Sequence, residues 1–318
     1  MEYLLLILGM VILIYGANLL VQGASSFAKM LKIPNLIIGL TVVAFGTSFP
    51  ELMINIFASM DGQSDLAVGN VIGSNIINIF LVIGIAAFIK PLEVQSNTVR
   101  YELPFSLLAM VVLFVVANDG LINGTDYSIL NRSDGFIFLT FFIIFIYYTF
   151  IVVTKGPKQD HTEGHDVKEI GKLKSAFLMI IGMLGLYFGG DFIVKSATTL
   201  ATEWGLSEVT IGILVVALGT SLPELATSAV ASYKGNADMA IGNIVGSNIF
   251  NVFLVLGVSA SITPIEFNPS INLDLAIALI ATVLLFLFVF TGKGRKIDRK
   301  EASIFLSLYL GYVIWLLM

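Results

Sequence analysis

Cysteine is absent from the 318 residues, which excludes disulfides, thiol catalysis and zinc–thiolate sites. Charge is scarce. Asp, Glu, Lys and Arg make up 12% of the chain, against roughly 25% in an ordinary soluble domain. Histidine occurs only as His161 and His165, in one polar stretch, so no apolar run contains an imidazole base. His161-Thr-Glu-Gly-His165 also departs from the His-Glu-x-x-His metal pattern and reads as a solvated loop. The abundant residues are apolar, at 57%. The few charges cluster between long apolar runs, which is the pattern of an all-α polytopic membrane protein embedded in a lipid bilayer. The net charge of −5 says little, because the positions of the charges carry the information.

Ten apolar runs approach the ~20 residues that a helix needs to cross a bilayer. They lie at 3–28, 35–59, 66–89, 102–118, 135–154, 175–199, 209–232, 238–261, 272–291 and 302–318. With the N-terminus outside, the inner loops hold Lys29, Lys32, Lys90, Arg100, Lys155, Lys158, Lys168, Lys172, Lys174, Lys234, Lys293, Arg295, Lys296, Arg299 and Lys300. Only Arg132 and Lys195 fall outside. By the positive-inside rule this asymmetry predicts a cell-membrane protein with both termini outside. The outer loop also holds two glycosylation-type tripeptides, at Asn123 and Asn131, a pattern common by chance.

A shift of 173 residues lays 39–84 on 212–257 without a gap, with 26 of 46 positions identical. The register extends outward, with Gly9 on Gly182, Gly16 on Gly189, Pro91 on Pro264 and Glu93 on Glu266. The chain therefore divides into a five-helix half at 1–155, a short polar linker at 156–173 and a second half at 174–318. Because five is odd, the halves enter the membrane from opposite sides. Inverted repeats with helices interrupted at matching positions are characteristic of secondary transporters, whose sites lie at the repeat interface.

The interruptions are Gly46-Thr-Ser-Phe-Pro-Glu51 and Gly219-Thr-Ser-Leu-Pro-Glu224. Each places a carboxylate at membrane depth, where an ionisable group marks function by default. Pro50 and Pro223 lack an N–H, so the carbonyls four residues back lose their helical partners. Such backbone survives there only against protein or a water-filled cavity. Carboxylates, hydroxyls and freed carbonyls form an oxygen-rich cage suited to hard cations such as Ca²⁺ and Na⁺. Two carboxylates balance one Ca²⁺ directly, and without a cation they would repel each other. A buried, protonated carboxyl bonded to backbone would explain one such Glu, but two at matching positions favour a shared cation site.

On the following helices, Asn70, Ser74 and Asn78 share one face, as do Asn243, Ser247 and Asn251. Ser74, Asn78, Ser247 and Asn251, in register with the Glu segments, favour cation ligation. For Asn70, Asn75, Asn243 and Asn248, ligation and simple helix joining remain equal alternatives. Gly69, Gly73, Gly242 and Gly246 beside the stripe permit close backbone approach.

Gly-Thr-Ser-x-Pro-Glu followed by Gly-Asn-x-x-Gly-Ser-Asn, in both halves, resembles the α-repeats of the sodium/calcium exchanger family, and the resemblance covers all ten spans. It implies ten helices, with spans 2, 3, 7 and 8 forming the ion site and spans 1 and 6 sliding as a gate. It also implies that Glu51 and Glu224 bind Ca²⁺ with the carbonyls of Thr47 and Thr220. Na⁺ sites would add Ser48, Ser74, Ser221, Ser247 and the carbonyls of Ala44 and Ala217, with Asn78 and Asn251 completing the centre. Some relatives carry Asp at one of these last two positions. Asn at both speaks against potassium co-transport. The short linker implies a prokaryotic member without the regulatory domain of animal relatives. The expected activity is Na⁺/Ca²⁺ antiport at three to one, with Ca²⁺/H⁺ or other divalent-cation antiport as the alternative. No cofactor, nucleic acid or obligate protein partner is expected. An intramembrane protease built on Asp191 would need a second membrane aspartate, and Asp191 aligns with Asn18 instead. A cation channel would not need matching broken helices.

Overall fold

The computed structural model describes residues 2–96, 98–124, 128–155, 169–204, 217–291 and 294–317. His161, His165, most of the linker, Thr125 and the start of the expected seventh span lie outside them. Helix α1 spans Glu2–Leu31. The next apolar run is split into α2 (Asn35–Thr47) and α3 (Phe49–Met60), which meet at 46°. Then follow α4 (Ser64–Ile89) and α5 (Thr98–Ala117), α6 (Arg132–Lys155) and α7 (Lys172–Glu203). A second break separates α8 (Ala217–Thr220) from α9 (Leu222–Tyr233). The chain continues through α10 (Ala237–Ile262), α11 (Asn272–Thr291) and α12 (Arg299–Leu316).

Among the described residues, seven helices are long and apolar enough to cross a membrane, and the bent pair α2–α3 makes an eighth. Two of the ten expected spans are not among these. The one ending in α9 begins outside the described residues. The other, α12, opens on three charged residues, Arg299, Lys300 and Glu301. α1 and α7 are longer than their apolar runs suggest, at 30 and 32 residues. At 1.5 Å per residue each reaches about 45 Å, well beyond a hydrocarbon layer of ~30 Å. Helices of this length fit such a layer by tilting or by placing their ends beyond it.

α1 and α7 pack along each other as an antiparallel pair on a ladder of small residues. A Cβ added at Gly16 would lie 2.8 Å from the Leu186 nitrogen and 2.9 Å from the Gly182 carbonyl oxygen. One added at Gly189 would meet the Leu13 nitrogen at 2.6 Å, and one at Gly23 the Ser175 carbonyl at 2.7 Å. Lipid tails are as apolar as leucine side chains, so helix association here depends on such close packing. The Gly9 and Gly16 repeat positions lie in this contact.

The central helices α4 and α10 are the most enclosed, with 72% and 89% of their apolar windows buried inside the protein. Each changes from α-helical to π-helical winding at an asparagine, over Asn78–Ile83 and Asn251–Leu256. π-helical insertions of this kind are rare and concentrate at functional sites. Two short antiparallel pairs join the loops: β1 (Leu92–Glu93) with β4 (Lys296–Ile297), and β2 (Ser128–Leu130) with β3 (Ile265–Phe267).

Candidate functional site

Both breaks have the same local cause. Ser48 (φ −87°, ψ 6°) and Ser221 (φ −89°, ψ 3°) leave the helical region in nearly the same way, and Pro50 and Pro223 sit in the first turns of α3 and α9. Proline is tolerated there because its missing N–H has no helical partner in any case. Glu51 and Glu224 follow in the same first turns. A carboxylate is favoured at the positive end of a helix dipole. The C-terminal ends of α2 and α8 bring backbone carbonyls to the same region. Half-helix ends that juxtapose carboxylates and carbonyls are the usual cation cradle of transporters.

The structure buries the side chains at these positions. Glu51 and Glu224 are each 1% exposed, and Ser48, Ser74, Asn78, Ser221, Ser247 and Asn251 are buried with them. Glu224 Oε1 accepts hydrogen bonds from Ser48 at 3.1 Å and from Ser247 at 3.4 Å. The Thr47 hydroxyl donates to Asn243 Oδ1 at 3.1 Å and lies 3.5 Å from Ser247 Oγ. Residues from both halves therefore meet around one carboxylate. The Ala44 carbonyl already accepts from the Ser48 N–H at 2.9 Å, and the Thr47 hydroxyl oxygen lies 3.3 Å from it. Ala217 and Thr220 form the two ends of α8.

Several buried oxygens here have no hydrogen-bond partner in the protein: Glu51 Oε2, Glu224 Oε2, Ser74 Oγ, Ser221 Oγ, Asn78 Oδ1 and Asn251 Oδ1. These six make up half of the twelve such side-chain atoms among the described residues. Buried polar atoms are normally paired, and an external partner would satisfy these six. The donor set is all oxygen, with two carboxylates. Among the described residues no group of three or more His, Cys, Asp or Glu exists that could hold a metal. An all-oxygen donor set of this kind suits a hard cation.

The stripe residues left open by the sequence are occupied with protein contacts. Asn70 Nδ2 donates to Asn55 Oδ1 at 2.7 Å, and its counterpart Asn243 donates to Ser228 Oγ at 3.0 Å. Asn55 and Ser228 were not singled out by sequence reasoning. The available signal was their position four residues after each Glu, on the same helix face. Asn75 and Asn248 cross between the halves, as described below. Gly242 and Gly246 do bring backbones together: Cβ atoms added there would lie 2.5 Å from the Leu36 carbonyl oxygen and 2.8 Å from that of Leu40. No described atom lies within 4 Å of one added at Gly69 or Gly73.

α7 borders both breaks, since Gly46 faces Met183 and Gly219 faces Val194. α1 is tied to α9 by Lys234, whose ammonium donates to the Asn18 carbonyl at 3.2 Å, and half-burial lowers the pKa of that lysine from its usual value. Asp191 forms a local ion pair with Lys195 at 2.9 Å.

The sequence model of the family described as sodium/calcium exchanger protein matches residues 1–151 and 174–318. The chain belongs to this family. The chain is 39% identical to an inner membrane protein of Escherichia coli, YrbG, over 99% of this chain and 95% of that one. It is 29% identical to the sodium/calcium exchanger MaX1 of Methanosarcina acetivorans, over 98% and 97% of the two chains. Among solved structures it is similar to the sodium-calcium exchanger NCX_Mj, with a TM-score of 0.83 and 32% identity, covering 98% of each chain. Family membership and the apolar helices together make this a multi-pass protein of the plasma membrane.

Proposed function

We propose that this chain is a secondary antiporter that exchanges Na⁺ for Ca²⁺ by alternating access, three to one and with net charge movement. The observation that carries the proposal is the set of six partnerless buried oxygens, every one of which belongs to a side chain expected to ligate ions. In this reading Glu51 and Glu224 hold Ca²⁺ with the carbonyls of Thr47 and Thr220. Na⁺ takes positions completed by Ser48, Ser74, Ser221, Ser247 and the carbonyls of Ala44 and Ala217, with Asn78 and Asn251 at the centre.

The ten-helix inverted arrangement belongs to the same proposal. Matching breaks, matching π-helical stretches 173 residues apart and the two strand pairs support it. With ten spans, the loops carrying β1 and β4 fall on one side and those carrying β2 and β3 on the other, as pairing requires. An even number of spans puts both termini on one side, which the distribution of Lys and Arg makes the outside.

The charge balance explains the coupling. Two carboxylates neutralise one Ca²⁺ or two Na⁺, so three Na⁺ leave one net positive charge to move per cycle. Ca²⁺ and the full set of Na⁺ cannot share the cage, which makes the ions compete. Moving one charge across 100 mV corresponds to about 2.3 kcal/mol. The test is the membrane potential at which net Ca²⁺ flux reverses in proteoliposomes with fixed Na⁺ and Ca²⁺ gradients, clamped by K⁺ and valinomycin. Three to one predicts a reversal potential that moves with the Na⁺ gradient. Flux indifferent to the clamped potential would mean a neutral two-for-one exchange.

A further inference from the structure

Four buried asparagines link α4 and α10 in a reciprocal arrangement. Asn78 Nδ2 donates to Asn248 Oδ1 at 3.0 Å, and Asn251 Nδ2 donates to Asn75 Oδ1 at 3.0 Å. Under the 173-residue shift, Asn78 corresponds to Asn251 and Asn75 to Asn248, so these two bonds are counterparts. Each runs from one half to the other. Asn78 and Asn251 also open the two π-helical stretches.

A primary amide can present either its oxygen or its NH₂ group to a neighbour. Only the oxygen is useful to a cation, whereas the NH₂ group repels it. The surroundings of Asn75 fix which is presented. Its Nδ2 lies 3.4 Å from the Asn248 carbonyl oxygen and 3.4 Å from Met110 Sδ. A carbonyl and a thioether can only accept, so the NH₂ group of Asn75 must face them. Its Oδ1 then faces Asn251, which must answer with its own NH₂. Asn251 Oδ1 is thereby turned away, buried and without a partner, as is Asn78 Oδ1. The polarity passes along a chain of acceptors and donors that starts outside the ion cage.

We propose that Asn75 and Asn248 are positioning residues: each clamps the amide of the opposite half's asparagine, Asn251 or Asn78, so that its oxygen rather than its nitrogen is offered to the ion. This rests on the exchanger reading above, since it assigns Asn78 and Asn251 to the cage, and it adds two residues that touch no ion. Outer residues that orient ligands commonly change metal affinity 10–100-fold when removed. The reciprocal clamp also couples the two halves at the site, so that neither central asparagine is oriented by its own helix alone.

The test is equilibrium ⁴⁵Ca²⁺ binding to the purified full-length protein in detergent, which needs neither transport nor a gradient. Asn75→Leu keeps the approximate volume but removes the acceptor, and its expected effect is a loss of Ca²⁺ affinity of about tenfold or more. Asn251→Ala should weaken binding likewise, and the double variant should bind no worse than Asn251→Ala alone, because Asn75 acts through Asn251. A general packing defect would instead multiply the two effects. Unchanged affinity in Asn75→Leu, or multiplied losses in the double variant, would overturn the proposal. Asn248→Leu with Asn78→Ala applies the same criterion from the other half and decides the matter if Asn75→Leu does not survive purification. Wild-type protein that binds no Ca²⁺ overturns the exchanger reading itself, and this inference with it.

Discussion

Glu51 and Glu224 are surrounded differently despite sitting in nearly identical hexapeptides. Glu224 receives two hydroxyl donors, Ser48 and Ser247, whereas Ser221, the counterpart of Ser48, has no partner. Equal sequences therefore do not impose equal conformations, and this asymmetry was invisible in the repeat. The placement of both acids at the helix breaks, by contrast, was legible, because proline in an apolar run marks where the helix stops. Glu51→Gln and Glu224→Gln should each abolish Ca²⁺ transport while leaving a folded, monodisperse protein. Each removes one of two charges facing a divalent ion. At ~4 Å and an effective dielectric near 20, a unit charge pair is worth about 4 kcal/mol and the attraction to Ca²⁺ roughly twice that. ⁴⁵Ca²⁺ uptake and size-exclusion profiles measured together check this. Near-normal flux in either variant would return that Glu to a structural role.

At the scale of elements, proline and the 173-residue shift made the two breaks readable, and hydropathy made the long helices readable. The π-helical stretches at Asn78 and Asn251 were not, because Asn-Ile-Phe-Leu-Val-Ile and Asn-Val-Phe-Leu-Val-Leu carry no local signal for an extra residue per turn. Likewise the Asn75–Asn251 and Asn78–Asn248 bonds join residues 176 and 170 positions apart, which periodicity along one helix cannot reveal. Glycines announced close packing but not its partner. Gly242 proves to face the α2 backbone, and Gly16, Gly182 and Gly189 the seam between α1 and α7. Gly242→Ala would place a carbon 2.5 Å from the Leu36 carbonyl oxygen, backbone that no rotamer change relieves. It should destabilise the protein by about 1–3 kcal/mol. Gly311, on an exposed face of α12, has no described atom within 4 Å of an added Cβ, and Gly311→Ala should be neutral or stabilise by up to ~1 kcal/mol. Thermal unfolding of the detergent-solubilised variants separates the two cases. Equal melting temperatures would deny that α10 and α2 meet backbone to backbone.

For the whole molecule, the proposed ion cage lies between two broken helices beside the long α1–α7 pair, of which α7 borders both breaks. Orientation was read from the positions of Lys and Arg alone, and the strand pairs β1–β4 and β2–β3 bear on the alternation of the spans and not on which side faces out; they were not foreseen, since two- and three-residue strands leave no sequence pattern. The central claim is that Na⁺, through this cage, drives Ca²⁺ across the membrane. Its most direct measurement is ⁴⁵Ca²⁺ uptake into proteoliposomes under separately imposed Na⁺, H⁺ and K⁺ gradients, with the pH gradient collapsed by an ionophore in the Na⁺ arm. Ca²⁺ should accumulate under an outward Na⁺ gradient alone, unaffected by K⁺. Accumulation that ignores Na⁺ and follows the imposed pH gradient would contradict it.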